Sequence, residues 1–164
     1  PRPADLSING VIDEAMMLML DRARGAGVDI KFETVLEDDG CFLDRDQIKQ
    51  VVLNLALNAI EACDEGGCVN VRLDVAEDKS GIVLLFEDDG CGISPEVADK
   101  LYNPFFTTRS SGTGLGLSIS RKIIENHGGS ISHADRSDRG TTFYVKLRRK
   151  LVSAEAVEEA GVTT

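Results

Sequence analysis

Apolar residues recur at helical spacing in three stretches of the chain and alternate with polar residues between them. Ile8, Val11, Ile12, Ala15, Leu18 and Met19 fall on one face of a helix that Gly25 and Gly27 stop. Residues 28–36 are strand-like, and Glu37-Asp38-Asp39-Gly40 reads as an acidic turn. A second helix is predicted from about residue 44 to residue 63, with Ile48, Val51, Val52, Leu55, Ala59 and Ala62 as its buried stripe. Val69, Val71, Leu73 and Val75 alternate with polar residues, the pattern of a half-buried strand. The continuous apolar run over 82–86 suits a central strand. A third helix follows over about 115–126, ended by His127-Gly128-Gly129, and strands near 130–134 and 141–147 close the domain. Pro1 to Asp5 reads as a linker, residues 6–150 as one domain and residues 151–164 as a polar tail. Helices and strands alternate, with several neighbours that read as antiparallel. The fold class is therefore α/β, a two-layer sandwich with a mixed sheet and helices on one face.

One stretch escapes both periods. Residues 90–113 show no sustained pattern apart from a short helix after Pro95, and a loop of that length in a small domain is usually functional or disordered. The chain has 164 residues, 42% of them hydrophobic, enough for one core of ordinary size. A net charge of −10 argues against nucleic acid as a partner. No apolar run reaches bilayer length and no charged-then-apolar leader opens the sequence, so a cytoplasmic setting with reduced thiols is expected for Cys41, Cys63, Cys68 and Cys91. The first residue is Pro1, as expected of a piece of a longer protein.

Four Gly/Asn signatures carry the chemistry. On the second helix, Gln47, Gln50, Asn54, Asn58 and Glu61 form a stripe separate from the apolar one, and residues four apart lie one above another. Asparagine is a mediocre helix former, and its amide carbonyl is a hard oxygen donor suited to Mg²⁺. A solvated polar face is the plain alternative, disfavoured by the richness in amides. Asp88-Asp-Gly90-Cys-Gly92-Ile93 follows the apolar strand. A carboxylate there can accept from an exocyclic amine, and glycines let a flat ring approach the backbone; standing alone, it would be an ordinary acidic turn. Neither G-x-G-x-x-G nor the P-loop pattern occurs in the chain. Gly112-Thr-Gly114-Leu-Gly116 leads straight into an apolar helix, where free N–H groups and the helix N-terminus suit phosphate oxygens. Asn103-Pro-Phe105-Phe106-Thr-Thr-Arg109 sets two aromatics in the irregular stretch. They read as a small satellite cluster able to latch a cover over bound nucleotide.

In this order the signatures resemble the catalytic ATP-binding domain of bacterial sensor histidine kinases, in the superfamily shared with DNA gyrase, the Hsp90 chaperones and the MutL repair proteins. The resemblance covers roughly residues 6–147: an N box at 54–59, G1 at 88–93, F at 104–109, G2 at 112–117 and a closing Gly140-Thr-Thr-Phe143. Its wording is most similar to the nitrogen- and dicarboxylate-sensing branch. The resemblance implies a Bergerat-type ATP-binding fold and, as cofactors, ATP with Mg²⁺. Asn58 would hold the metal with Asn54 assisting, Asp88 would bond the adenine amine, and Gly90 and Gly92 would shape its pocket. Gly112, Gly114 and Gly116 would face the phosphates. The same boxes put Ile93, Phe105, Phe106, Thr107, Thr113, Leu115 and Thr141 around the nucleotide. Many family members carry Lys where this chain has Glu61, so Arg109 or Lys122 is expected to supply that phosphate contact. The phosphoacceptor histidine segment is absent, which implies transfer to a histidine on a separate dimerisation domain and then service of a cognate response regulator. The alternatives are an anti-sigma-factor-type serine kinase, which should lack Pro-Phe-Phe-Thr-Thr, a gyrase- or Hsp90-type hydrolase, which needs a Glu at Asn54, and a non-catalytic nucleotide-binding module.

Overall fold

The computed structural model describes residues 3–36, 40–76, 81–108 and 112–148. Its elements run β1 (Ala4–Ser7), α1 (Ile8–Ala26), β2 (Asp29–Thr34), β3 (Gly40–Leu43), α2 (Arg45–Ala62), β4 (Cys68–Val75), β5 (Gly81–Asp88), α3 (Pro95–Ala98), α4 (Gly116–Asn126), β6 (Ser130–Asp135) and β7 (Thr141–Arg148). Five strands form one sheet in the order β2-β4-β5-β7-β6. The β2–β4 pair is parallel and the other three pairs are antiparallel, so the sheet is mixed as the pattern predicts. Register places Val71 beside Phe86 and Phe86 beside Phe143, so alternate residues of three strands share one buried face. Val69, Val71, Leu73, Ile82, Leu84, Phe86, Val145 and Leu147 fill that face, and the buried stripes of α1, α2 and α4 cover it.

Three local readings change. Residues 4 and 5, read as linker, belong to β1, which pairs antiparallel with β3 from Ala4↔Leu43 to Ser7↔Gly40. Four-residue strands leave too little alternation to register in a sequence, and this pair exists only through long-range pairing. Helix α1 runs through Gly25 and stops at Gly27, whose φ of 68° lets its N–H reach back to the Ala23 and Arg24 carbonyls. Leu18, placed on the buried stripe, is 56% exposed, while Met16 and Ala23 take the interior positions. The acidic turn at 37–39 and the tail at 151–164 lie outside the described residues.

Helices α1 and α2 are tied along their length. Glu14 of α1 pairs with Arg45 and, at 3.2 Å, with Lys49 of α2, and Arg22 reaches Glu61 at 3.5 Å. Asp44 caps α2, its side chain accepting from Gln47 N–H at 3.1 Å. No helix among the described residues is long and apolar enough to cross a membrane.

Candidate nucleotide site

The site forms where the end of β5, the C-terminal half of α2 and the N-terminus of α4 converge. Asp88, the last residue of β5, is only 2% exposed. Its Oδ1 accepts from the backbone N–H of Gly90 at 2.9 Å and of Thr141 at 3.3 Å. Burial, the largest influence, raises this carboxyl above the ordinary value of 3.8, against the lowering by those two bonds. With Oδ1 doubly engaged, Oδ2 is the oxygen left to accept from a ligand. Glycines make this corner possible. A β-carbon on Gly140, at φ 93°, would overlap the Asp88 carbonyl oxygen, and one on Gly90 would strike the backbone of Ala62. Cys91 N–H donates to the Ala62 carbonyl at 3.1 Å, docking the whole turn on the end of α2. Gly92, at φ 75°, continues the turn, and Ile93 packs half-buried against the core. Thr141, which the resemblance puts around the nucleotide, is buried and holds Asp88 through its backbone N–H.

Asn54 and Asn58 are half-buried on α2, one turn apart, outside the apolar stripe. Asn54 faces α4: its Nδ2 donates to Ser120 Oγ at 3.0 Å, and a β-carbon on Gly116 would collide with its carboxamide oxygen. Two carboxamides one turn apart, one of them with its oxygen at the α4 N-terminus, are a donor set that fits a hard cation such as Mg²⁺. Glu61, at the position where Lys was the comparison, is paired with Arg22 rather than left bare toward the site.

The N-terminus of α4 has no side-chain cap. Leu115 stands at its N-cap, and the first intrahelical bond runs from Ile119 N–H to the Leu115 carbonyl at 2.9 Å. The preceding N–H groups of the first turn therefore suit an anion. Gly114, at φ 67°, packs directly on the backbone of Phe105, so the chain just before α4 touches the middle of the irregular stretch there. Phe105 is itself left-handed, at φ 66°, and 75% exposed, while Phe106 is half-buried. Thr107, Gly112 and Thr113 are exposed, and Leu115 is half-buried. Lys122 is exposed on α4, six residues and about 9 Å along the axis from Gly116. Arg109 lies outside the described residues.

The first part of the irregular stretch is better anchored than its pattern predicts. Leu101 and Tyr102 pack against the core. Tyr102 hydroxyl stands 3.4 Å from His133 Nδ1, Arg121 lies over its ring at 5.1 Å, and burial pushes its phenol up to about 12. Neither histidine is placed as a phosphoacceptor. His127 Nδ1–H donates to the Ile123 carbonyl at 2.8 Å and its Nε2 accepts from Asp44 N–H at 3.1 Å, while His133 sits among Tyr102 and Phe143.

A mixed sheet whose central strand delivers a buried carboxylate to a glycine turn, beside an amide-bearing helix, defines a nucleotide-binding catalytic domain. Comparison with known proteins agrees. Residues 43–151 match the family described as histidine kinase-, DNA gyrase B- and HSP90-like ATPases, and the chain belongs to it. It is 36% identical over 142 residues to the signal transduction histidine-protein kinase AtoS of Escherichia coli, covering 87% of this chain and 23% of that protein. It is 39% identical over 151 residues to the C4-dicarboxylate transport sensor protein DctS of Rhodobacter capsulatus, covering 90% and 23% respectively. The chain thus spans about a quarter of the length of these relatives. The catalytic domain of histidine kinase ThkA, nucleotide-free, superposes with a TM-score of 0.82 at 37% identity, covering 91% of this chain and 97% of that one. This is the catalytic ATPase domain of a sensor histidine kinase, of the kind the sequence resembles.

Proposed function

We propose that this domain binds ATP with Mg²⁺ and transfers the γ-phosphate to a histidine on a separate dimerisation domain of the same longer protein. The phosphate then passes to a response regulator, and the work is done in the cytoplasm. One observation carries this reading: the Asp88 turn docks on the C-terminal end of the same helix whose Asn54 amide meets α4 at Ser120 and Gly116. This supports a base anchor, a metal-bearing helix and a phosphate cradle gathered about α2. Asp88 accepts from the adenine amine, with Gly90, Gly92 and Ile93 forming its surroundings. Asn58 holds the metal with Asn54 beside it, and the turn from Gly112 through Gly116 receives phosphate. Mg²⁺, when held there, neutralises charge on the phosphate oxygens. Thr107, Arg109 and Lys122 are assigned to the phosphate side, with Phe105 and Phe106 as the latch of the cover. Support for the regulator step comes from the related ThkA, 35% identical over 90% of this chain, solved in complex with response regulator TrrA. Mixing the domain with radiolabelled ATP and histidine-bearing acceptor domains tests the proposal. Acid-labile phosphate on an acceptor is the expected result. Acid-stable phosphate, or hydrolysis without any transfer, overturns it.

A further inference from the structure

Two side-chain hydrogen bonds cross the seam between α2 and α4, ten residues apart on α2. At the start of α2, Asp44 N–H donates to His127 Nε2 at 3.1 Å. Near its middle, Asn54 Nδ2 donates to Ser120 Oγ at 3.0 Å. The first joins the far end of α4, where the helix stops. The second lies one turn from Gly116, where the phosphate cradle begins. Ser120 is 1% exposed and shares the buried side of α4 with Ile123 and Ile124. A serine on an apolar helix face needs a partner, and this one has taken the amide of a site residue.

The Asn54 carboxamide is held at both ends. Its nitrogen rests on Ser120, and its oxygen lies against the backbone of Gly116 with no room for a β-carbon between them. The two ends of a carboxamide differ in kind: the nitrogen donates and the oxygen accepts. A half-turn about the last side-chain bond would put N–H groups where a cation needs an oxygen.

We propose that Ser120 is a positioning residue that fixes the Asn54 carboxamide with its oxygen toward the cradle, and so sets how strongly Mg²⁺ tightens nucleotide binding. This rests on the nucleotide-and-Mg²⁺ reading above. Ser120 itself touches neither ligand. It acts through Asn54, by denying the amide its other orientation and by holding α4 against α2 one turn after Gly116.

The test measures the affinity of a fluorescent ATP analogue with Mg²⁺ and with a chelator, and takes the ratio. Ser120→Ala removes one oxygen from a buried site, and the ratio should fall three- to ten-fold while the chelated affinity stays near that of the unaltered chain. His127→Ala cuts the other bond of the same seam, and it should lower the melting temperature with the ratio unchanged. In an Asn54→Ala background, Ser120→Ala should add nothing further. The inference is overturned if Ser120→Ala keeps the full ratio, if His127→Ala reduces it equally, or if the two site changes are additive. An unaltered chain that binds the analogue equally with and without Mg²⁺ overturns the underlying reading as well, which separates the two failures.

Discussion

The base end and the phosphate end of the site are built in opposite ways. At the base end, Asp88 is buried, two backbone N–H groups hold its Oδ1, and Gly90 and Gly140 fit against carbonyls with no space for a side chain. At the phosphate end, Phe105 is left-handed and 75% exposed, Thr107, Gly112 and Thr113 face solvent, and the helix N-terminus is uncapped. The corner proposed for the base is thus held rigid by the protein's own contacts. The end proposed for the phosphates is open to solvent, which suits the proposed transfer, since a γ-phosphate passed to another domain has to be both held and released.

The comparison can be broken most forcefully at Asn58. Replacing it by alanine should cut phosphoryl transfer at least a hundred-fold, about 3 kcal/mol, because a metal clamp on phosphoryl oxygens is lost. The melting temperature should move little, since the residue lies outside the apolar stripe. Rate measurements against Mg²⁺ concentration, with a thermal melt, check this; an unchanged Mg²⁺ dependence defeats the metal assignment.

Gly140→Ala should come next, and on the base side. A β-carbon there overlaps the Asp88 carbonyl at a φ of 93°, so the β7 entry has to shift. Expected is a stability loss of about 1–3 kcal/mol together with weaker ATP binding. Denaturant unfolding and nucleotide titration read both. Loss of binding with full stability would mean that the base end is less rigidly built than its packing shows.

Asp88→Asn is gentler on the fold and sharper on selectivity. ATP affinity should drop about ten-fold, in line with the roughly 1.5–3 kcal/mol of a hydrogen bond to a charged group. Discrimination of ATP against GTP should narrow, because an amide can turn to donate. The pH response follows from the direction of the shift. Burial raises the folded-state value above 3.8, so this carboxyl favours folding increasingly as pH falls through the raised value and loses that contribution as pH rises. Binding runs the other way, since the carboxylate is the acceptor: ATP affinity should fall on acidification, starting above 3.8, and Asp88→Asn should lack that limb. Isothermal titration across pH decides the matter.

The smallest effect, and the one that best locates the boundary between the two ends, is in amide exchange. Residues 94–102, pinned through Leu101 and the Tyr102–His133–Arg121 cluster, should be protected without ligand. Residues 103–108 and 112–113 should gain protection only with nucleotide. Equal protection throughout would make the whole stretch a rigid loop.

Much of this was legible without coordinates because it is local. The apolar stripe of α2, the amides at 54 and 58, the alternation of β4 and the glycines before α4 are all set by neighbours a few residues apart, and period and turn chemistry expose them directly. What stayed hidden depends on residues distant in the chain. The β1–β3 pair joins segments too short to show a period. The N–H of Thr141 reaches Asp88 across 53 positions, and Ser120 meets Asn54 across 66. Ser120 left one trace, a hydroxyl on the apolar face of its helix, but nothing local names the partner. Arg22 against Glu61 left none. The sequence by itself determined the elements, their buried faces and the kinds of chemical group gathered along the chain, because those follow from side-chain period and backbone preference. Only the tertiary structure decided which oxygen of Asp88 is spent on the protein, which end of Asn54 meets Ser120, and where Leu101 and Tyr102 anchor the irregular stretch, because each depends on a contact that chain folding creates and no local pattern encodes.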